Sequence, residues 1–267
     1  MEIIGYIGAI IMGLSLGLIG GGGSILTVPI LVYLFHVDAV LATAYSLFIV
    51  GLTSLVGSIS HVKLGNIHWK TALVFGIPSI VSVFLTRLYL VPAIPNPLLK
   101  TSAFTISKPM SLLVLFAIIM ILAAYSMIKP SNKSQDNGTG EVSFNFPLIL
   151  AEGLIVGVVT GLVGAGGGFL IIPALVLLAK LPMKQAVGTS LMIIAAKSLI
   201  GFVGDLNGNE VIDWSFLSIL SSIAIVGILV GSRLSKKISG DTLKPAFGWF
   251  VLVMGIYIIA MEIFKMK

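Results

Sequence analysis

The stretch Gly17-Leu18-Ile19-Gly20-Gly21-Gly22-Gly23-Ser24-Ile25 interrupts a long apolar run with four consecutive glycines. Glycine costs up to about 1 kcal/mol per residue relative to alanine inside a helix, so four in succession predict a break in the helix. A second stretch, Gly161-Leu162-Val163-Gly164-Ala165-Gly166-Gly167-Gly168-Phe169, interrupts another apolar run in the same way. These two stretches organise the interpretation of the whole chain.

The composition around the two breaks is that of a membrane protein. Of 267 residues, 57% are hydrophobic and 10% are charged, whereas a soluble domain carries about 25% charged residues. A membrane-spanning helix needs about 20 apolar residues to cross about 30 Å of hydrocarbon. The apolar runs cover residues 3–35, 39–62, 71–86, 109–128, 153–179, 185–204, 214–232 and 245–261. The sequence therefore predicts an all-α polytopic membrane protein with about eight transmembrane segments, and it excludes a soluble enzyme.

The chain also contains an internal repeat. When the sequence is shifted by 144 positions, residues 13–59 match residues 157–203 at 18 of 47 positions. We therefore predict a first repeat of four membrane segments over residues 1–128, a polar linker over 129–141 and a second such repeat over 142–267. Duplicated halves are typical of secondary transporters, which bind substrate between the halves near the middle of the bilayer. Eight full crossings would make the halves parallel, whereas re-entrant glycine segments would make them inverted.

Each glycine break is a candidate binding site, because irregular backbone inside a membrane is tolerated where it is covered by protein or lines a wet cavity. The helical piece after each break, beginning near Ile25 or Phe169, would present free N–H groups and the positive end of its dipole to an anion. Pro29 and Pro173 would then fall in first turns, where a missing N–H costs least. The alternative is that these glycines only permit close helix packing. The candidate substrate-binding backbone is Gly20, Gly21, Gly22, Gly23, Ser24, Gly164, Ala165, Gly166, Gly167 and Gly168.

Four side chains complete the candidate site. Lys197 is a cation well inside the run 185–204, where it would be either a counter-charge for an anionic substrate or a lysine whose ammonium reaches the nearer interface. Ser46, Thr189 and Ser190 follow the breaks and could donate hydrogen bonds to an oxyanion. Ser46 and Ser190 occupy matched positions of the repeat, which strengthens their case.

Other functions find little support in the sequence. No catalytic residues, metal ligands or cofactor sites are predicted, because the hydrolase, zinc and P-loop motifs do not occur. The net charge of +6 comes from basic residues in short loops, so nucleic acid is not an expected partner. Arg87 and Arg233 end their apolar runs and are interpreted as interface anchors.

The doubled glycine module, with Pro29, Ala42 and Ser46 in one copy and Pro173, Ala186 and Ser190 in the other, resembles the TauE/SafE sulfite exporter family. The resemblance covers essentially the whole chain. It implies a transporter of small anions, such as sulfite, organosulfonates or related carboxylates, in the cell membrane. The residues at which this sequence matches the family's module, and to which the implied site carries over, are Gly20, Gly22, Gly23, Ser46, Gly164, Gly166, Gly167 and Ser190.

The leading hypothesis is a secondary transporter that moves a small anion by alternating access between the two repeats. The expected partners are the lipid bilayer, the anionic substrate, a coupling proton or sodium ion, and a second copy of the chain in a homo-oligomer. A carrier of a cation or a neutral solute and a membrane scaffold without transport activity are the alternatives.

Overall fold

A computed structural model describes residues 2–100, 105–128, 146–164, 166–177, 179, 181–206, 212–235 and 240–265. The predicted linker 129–141 lies outside these residues, so the division into two domains stays a prediction. The helices are α1 (Glu2–Ile19), α2 (Gly22–Leu34), α3 (Ala39–Lys63), α4 (Trp69–Ala93), α5 (Lys108–Ile128), α6 (Phe146–Val163), α7 (Gly168–Leu177), α8 (Met183–Asp205), α9 (Trp214–Leu234) and α10 (Gly240–Lys265). A short antiparallel pair, β1 (Leu99–Lys100) and β2 (Thr105–Ile106), precedes α5.

Five of the helices are long and apolar enough to cross a membrane. These are α3, α4, α5, α8 and α9; the apolar parts of α1, α2, α6 and α10 are shorter, at 10 to 17 residues. The predicted helical, multi-pass class is therefore confirmed. The predicted count of about eight segments is not confirmed by length and composition.

Side-chain caps fix where several long helices begin. The Asp38 carboxylate accepts a hydrogen bond from the N–H of Val40 at 2.8 Å, which caps α3. His68 caps α4 through its Nδ1 atom, and Asp213 caps α9 by accepting from the N–H of Phe216 at 2.9 Å. Each cap satisfies one of the N–H groups that a helix leaves without an intrahelical partner.

The bundle has two ends, which we call the Asp38 end and the His68 end. Helix α3 runs from the first to the second, and α4 begins at the second. The N–H of His68 donates to Thr189 Oγ1 at 2.9 Å, so α8 begins at the His68 end. The N–H of Asp213 donates to the Tyr45 hydroxyl at 2.8 Å, so α9 begins at the Asp38 end.

Helix α2 does not continue the direction of α1 but runs back along it. Near the turn, Gly23 contacts the backbone of Met12. At the other end of α2, a methyl group on Gly5 would lie 2.5 Å from the ring of Phe35. The chain therefore forms a helical hairpin that turns at the four glycines and returns to the end at which it began.

The first hairpin enters the bundle from the Asp38 end. Gly13 in α1 packs against Ala224, and Gly17 packs against Ile228 four residues further along α9. Helix α1 is therefore parallel to α9, which begins at the Asp38 end.

The second hairpin, α6 and α7, enters from the opposite end. Gly153 in α6 packs against Phe75, and Gly161 packs against Thr86 further along α4. Helix α6 is therefore parallel to α4, which begins at the His68 end. After the turn, α7 leads to Pro182, which precedes α8 at the same end.

Most close helix pairs join one half of the chain to the other. The main partners are α1 with α9, α6 with α4, α3 with α8, α5 with α10, α3 with α9 and α4 with α8. Each helix of the first half has a counterpart five numbers later, so that α1 corresponds to α6 and α5 corresponds to α10. Exchanging every helix for its counterpart gives the same set of pairs. The two halves therefore interlock and do not pack as separate bundles.

The first return helix begins at Gly22, before the expected Ile25, and the second begins at Gly168, next to the expected Phe169. Neither proline lies in the first turn of its whole return helix, although Pro29 ends the short α segment Thr27–Pro29. Pro29 is the eighth residue of α2 and lies between a 3-10 segment, Gly22–Leu26, and a π segment, Ile30–Leu34. A proline inside a helix removes one hydrogen bond and crowds the preceding turn. Local changes of helix pitch of this kind accommodate such a residue.

Candidate functional site

The turns of the two hairpins meet inside the bundle. A methyl group on Gly21 would lie 2.5 Å from the backbone of Gly168, so the two turns are in backbone-to-backbone contact. The backbone leaves the helical conformation at Gly20, with φ of 87°, and at Gly164, with φ of 73°. Residues with a side chain rarely adopt such angles. The glycines are thus required both for the turns and for their contact.

Each turn also reaches the first turns of a long helix in the other half. Gly20 packs against the Val187 side chain of α8, and Gly164 packs against Thr43 of α3. Val187 and Thr43 are related by the same 144-residue shift as the two glycines. Both turns therefore extend past the middle of the bundle toward the end opposite their own entry.

Lys197 lies beside the second turn and is completely buried. Its Nζ donates a hydrogen bond to Thr160 Oγ1 of α6 at 3.0 Å. The same Nζ lies 2.7 Å from the position that a methyl group on Gly167 would occupy. Within the described residues, the ion pair found joins Arg87 to Asp205 and no carboxylate pairs with Lys197. The ammonium therefore does not extend to an interface, and it brings a positive charge to the turn.

The beginning of α7 adds to this positive potential. The N–H groups of Leu170 and Ile171 both bond to the carbonyl of Gly167, at 3.0 and 3.1 Å. The N–H groups just before them lie at the positive end of the helix dipole. A lysine ammonium and a helix N-terminus side by side favour a bound anion.

The hydroxyls of Ser198 and Ser46 are among the buried hydroxyls that have no hydrogen-bond partner within the described residues. Ser198 Oγ lies 3.4 Å from the position of a methyl group on Gly166, so it faces the same turn. Ser46 Oγ is buried in α3, also without a partner. Ser46 was among the predicted site residues, whereas Ser198, which directly follows Lys197 in the sequence, was not.

The structure does not bring every predicted residue to Lys197. Thr189 binds the loop before α4 at the His68 end, eight residues from Lys197, or about 12 Å along the helix axis. The Ser190 hydroxyl donates to the carbonyl of Val187 at 2.9 Å, and that of Ser24 donates to the carbonyl of Gly21 at 2.8 Å. Gly22 and Gly23 are buried in the first turn. Ala165 lies outside the described residues.

The interpretation of Arg87 as an interface anchor was wrong. Its side chain is 1% exposed, and Nη1 donates to Thr43 Oγ1 at 2.9 Å. The same Nη1 lies 3.5 Å from Oδ2 of Asp205. A π segment, Thr86–Leu90, continues α4 past the apolar run, which keeps Arg87 inside the protein. Its partners are distant in sequence, so the local pattern carried no signal of this cluster.

Comparisons with known proteins agree with a transport function. The family model described as "Sulfite exporter TauE/SafE" matches residues 6–258. The chain is 30% identical over 267 residues to "Probable membrane transporter protein MJ0441" of Methanocaldococcus jannaschii, with 94% of each chain covered. It is 27% identical to "Probable membrane transporter protein" of Xylella fastidiosa, covering 93% of this chain and 91% of that one. It is also 27% identical to "Probable membrane transporter protein YunE" of Bacillus subtilis, covering 96% and 98%. No solved structure matches the chain significantly.

Proposed function

The chain belongs to the TauE/SafE sulfite exporter family of membrane transporters, and we propose that it carries a small oxyanion across the cell membrane. The observation that supports this substrate class most directly is Lys197, a buried ammonium whose bonded partner is a hydroxyl and not a carboxylate. An uncompensated buried charge is costly. A bound anion with several acceptor oxygens, such as sulfite, an organosulfonate or a carboxylate, would compensate it.

We further propose that the two halves are inverted repeats, with six crossing helices and two hairpins that enter from opposite sides. Helices α3, α4, α5, α8, α9 and α10 would cross the membrane. The opposite entry directions of the hairpins and the exchange of helix pairs between the halves support this arrangement. Of the two alternatives left by the sequence, the proposal adopts the inverted halves.

Alternating access follows naturally from this arrangement. The two turns meet between α3 and α8, which pair across the halves. Opening one side would loosen the contacts of one hairpin, and opening the other side would loosen those of its counterpart. The substrate would bind at Lys197 between these states. A proton or a sodium ion would supply the driving force, and pairing of two copies stays part of the proposal.

The decisive experiment measures flux in proteoliposomes loaded with sulfite, sulfoacetate, sulfate or acetate. We expect flux of at least one of these anions, with an increase in KM of about tenfold or more in Lys197→Met, because the substitution removes the counter-charge. Thr53→Val is the matched control, since Thr53 is the repeat counterpart of Lys197 and its hydroxyl bonds to Ile49 in its own helix. The control should keep the KM of the wild type.

Three outcomes would contradict the proposal. The first is the absence of anion-dependent flux in active reconstituted protein. The second is flux of cations or neutral solutes alone, in which case Lys197→Met would leave transport unchanged or improve it. The third is a loss of stability in glycine variants of both turns without a specific loss of flux, as expected of a membrane scaffold. Imposed proton and sodium gradients in the same vesicles would identify the coupling ion.

A further inference from the structure

Arg87 presents two hydrogen-bond donors that no described residue accepts from. The side chain is buried, and Thr43 and Asp205 both interact with a single nitrogen, Nη1. Its Nε and Nη2 atoms are buried and have no hydrogen-bond partner among the described residues. These two nitrogens form the edge of the guanidinium that binds two oxygens of a carboxylate or a phosphate at once. The edge best suited to an oxyanion is thus the one left open.

A purely structural ion pair does not explain this geometry. Buried N–H groups are nearly always satisfied, and one left unsatisfied loses the hydration that it had in water. An arginine needed only to join α4 to α8 would gain more by turning its two-donor edge toward Asp205. Instead, Asp205 Oδ2 lies 3.5 Å from Nη1 and makes no hydrogen bond within the part of the chain that the structure describes. The carboxylate therefore holds the arginine without occupying its main binding edge.

The position of Arg87 relates it to the substrate site. Thr43, to which Arg87 donates, is the residue against which Gly164 of the second turn packs. A methyl group on Gly204 would lie 3.0 Å from Cβ of Arg87. Lys197 is seven residues earlier on the same helix, about 10 Å along its axis. Two buried cations therefore flank the second turn. Lys197 lies beside the turn, and Arg87 lies closer to the Asp38 end of the bundle.

Other charges face Arg87 from neighbouring elements. Lys108, at the start of α5, is close enough to interact electrostatically with both Arg87 and Asp38. An open cleft of 440 Å³ at this end is lined by Asp38, Ser107 and Glu262, among others. Lys108 and Asp38 thus add charges of both signs near Arg87 at this end of the bundle.

We propose that the Nε and Nη2 edge of Arg87 is a second anion-binding site, in series with Lys197 and toward the Asp38 end of the transport path. The site takes an anion with two oxygens on one atom, such as sulfite, a sulfonate or a carboxylate. Asp205 holds the guanidinium in place and, by its charge, keeps the affinity low enough for the anion to leave. Successive sites of moderate affinity permit both entry and release. This inference rests on the proposed transport of anions.

The test counts the sulfite ions bound to purified protein in detergent, by equilibrium dialysis against radiolabelled sulfite without oxygen. We expect two sites in the wild type, one in Arg87→Gln and one in Lys197→Met. Arg233→Gln is the matched control, because Arg233 ends the equivalent helix α9 and is exposed; it should keep both sites. Arg87→Lys keeps the charge but lacks the two-donor edge, so it should lower the affinity of one site at least fivefold while the protein stays folded.

Asp205→Asn separates binding from a structural role. We expect sulfite to bind the Arg87 site at least threefold more tightly in this variant, and sulfite to raise its Tm more than that of the wild type. A lower Tm with unchanged sulfite affinity would overturn the inference. Two sites of unchanged affinity in Arg87→Gln and Arg87→Lys would also overturn it, while loss of a site in Lys197→Met would leave the proposed function standing. A wild type that binds no sulfite, sulfoacetate or acetate would count against both.

Discussion

Lys197 and Thr160 show how a single hydroxyl keeps a charge inside the bundle. The lysine lies on the long helix α8, and the threonine lies on α6 of the second hairpin. The hydrogen bond of 3.0 Å between them therefore links this hairpin to α8. Burial of an ammonium costs several kcal/mol unless it finds partners. The pair therefore combines a structural constraint with the charge that the proposed substrate requires.

Thr160→Val should destabilise the protein by about 1–3 kcal/mol, because it leaves the buried ammonium without this acceptor. The effect should disappear when the charge is also removed, so Lys197→Met/Thr160→Val should be about as stable as Lys197→Met. Thermal unfolding in detergent of the wild type and the three variants measures this coupling. Additive effects of the two substitutions would show that the bond contributes nothing to stability.

At this scale, the sequence predicted the charge but not its partners. Lys197 stood out because a cation inside an apolar run is rare. Thr160 did not, because it lies on α6, 37 residues away in sequence, and local sequence does not encode which residues of another helix meet Lys197. The prediction for Arg87 failed for the same reason. An arginine at the end of an apolar run has the pattern of an interface anchor, and its partners Thr43 and Asp205 are far from it in sequence.

Among the elements, the two glycine breaks were the most predictable. Helix propensity alone located the breaks, since runs of glycine are unfavourable in a helix whatever surrounds them. The direction of the chain after each break was not predictable, because it depends on contacts such as those of Gly5 with Phe35 and Gly23 with Met12. Apolar runs without charges look the same whether they cross a membrane or turn back inside it.

The packing of α6 on α4 gives a test of the second hairpin. Gly153→Ala should destabilise the protein by about 1–3 kcal/mol, because its methyl group would lie 2.6 Å from the carbonyl oxygen of Phe75, and overpacking costs about this much. Gly76→Ala on α4 is the matched control, since its methyl group would meet only the Ile193 side chain at 3.7 Å. The control should be neutral or slightly stabilising.

Thermal unfolding of both glycine variants in the same detergent provides the measurement. If Gly153→Ala and Gly76→Ala had equal Tm values, the close contact between α6 and α4 would not exist in solution. The hairpin would then enter the bundle along another helix.

For the whole molecule, the proposed inverted halves predict which end of the bundle faces the cytoplasm. Among the described residues, the helix ends at the His68 end carry Lys63, Lys70, Lys184, Arg233 and Lys244. The Asp38 end carries Lys100, Lys108 and Lys265, in addition to the buried Arg87. Basic residues favour the cytoplasmic side. We therefore expect the His68 end in the cytoplasm and both termini outside.

Single cysteines can test this sidedness directly, because the chain has no cysteine of its own. Leu98→Cys and Leu206→Cys, both exposed at the Asp38 end, should react with a membrane-impermeant maleimide in intact cells. Leu64→Cys and Met183→Cys, exposed at the His68 end, should react only after the membrane is opened. With eight crossings and parallel halves, Leu64 would instead share a side with Leu206, and Leu98 would share a side with Met183.

The interlocking of the halves has a consequence for the synthesis of the protein. Gly17 in α1 packs against Ile228 in α9, so roughly 210 residues must be translated after α1 before its partner exists. At ribosomal rates this delay is on the order of tens of seconds. During that time, the glycine face of α1 must be covered by lipid or by an insertion chaperone. A nascent chain stopped before α9 would leave its first hairpin without a partner and so become a substrate for membrane proteases.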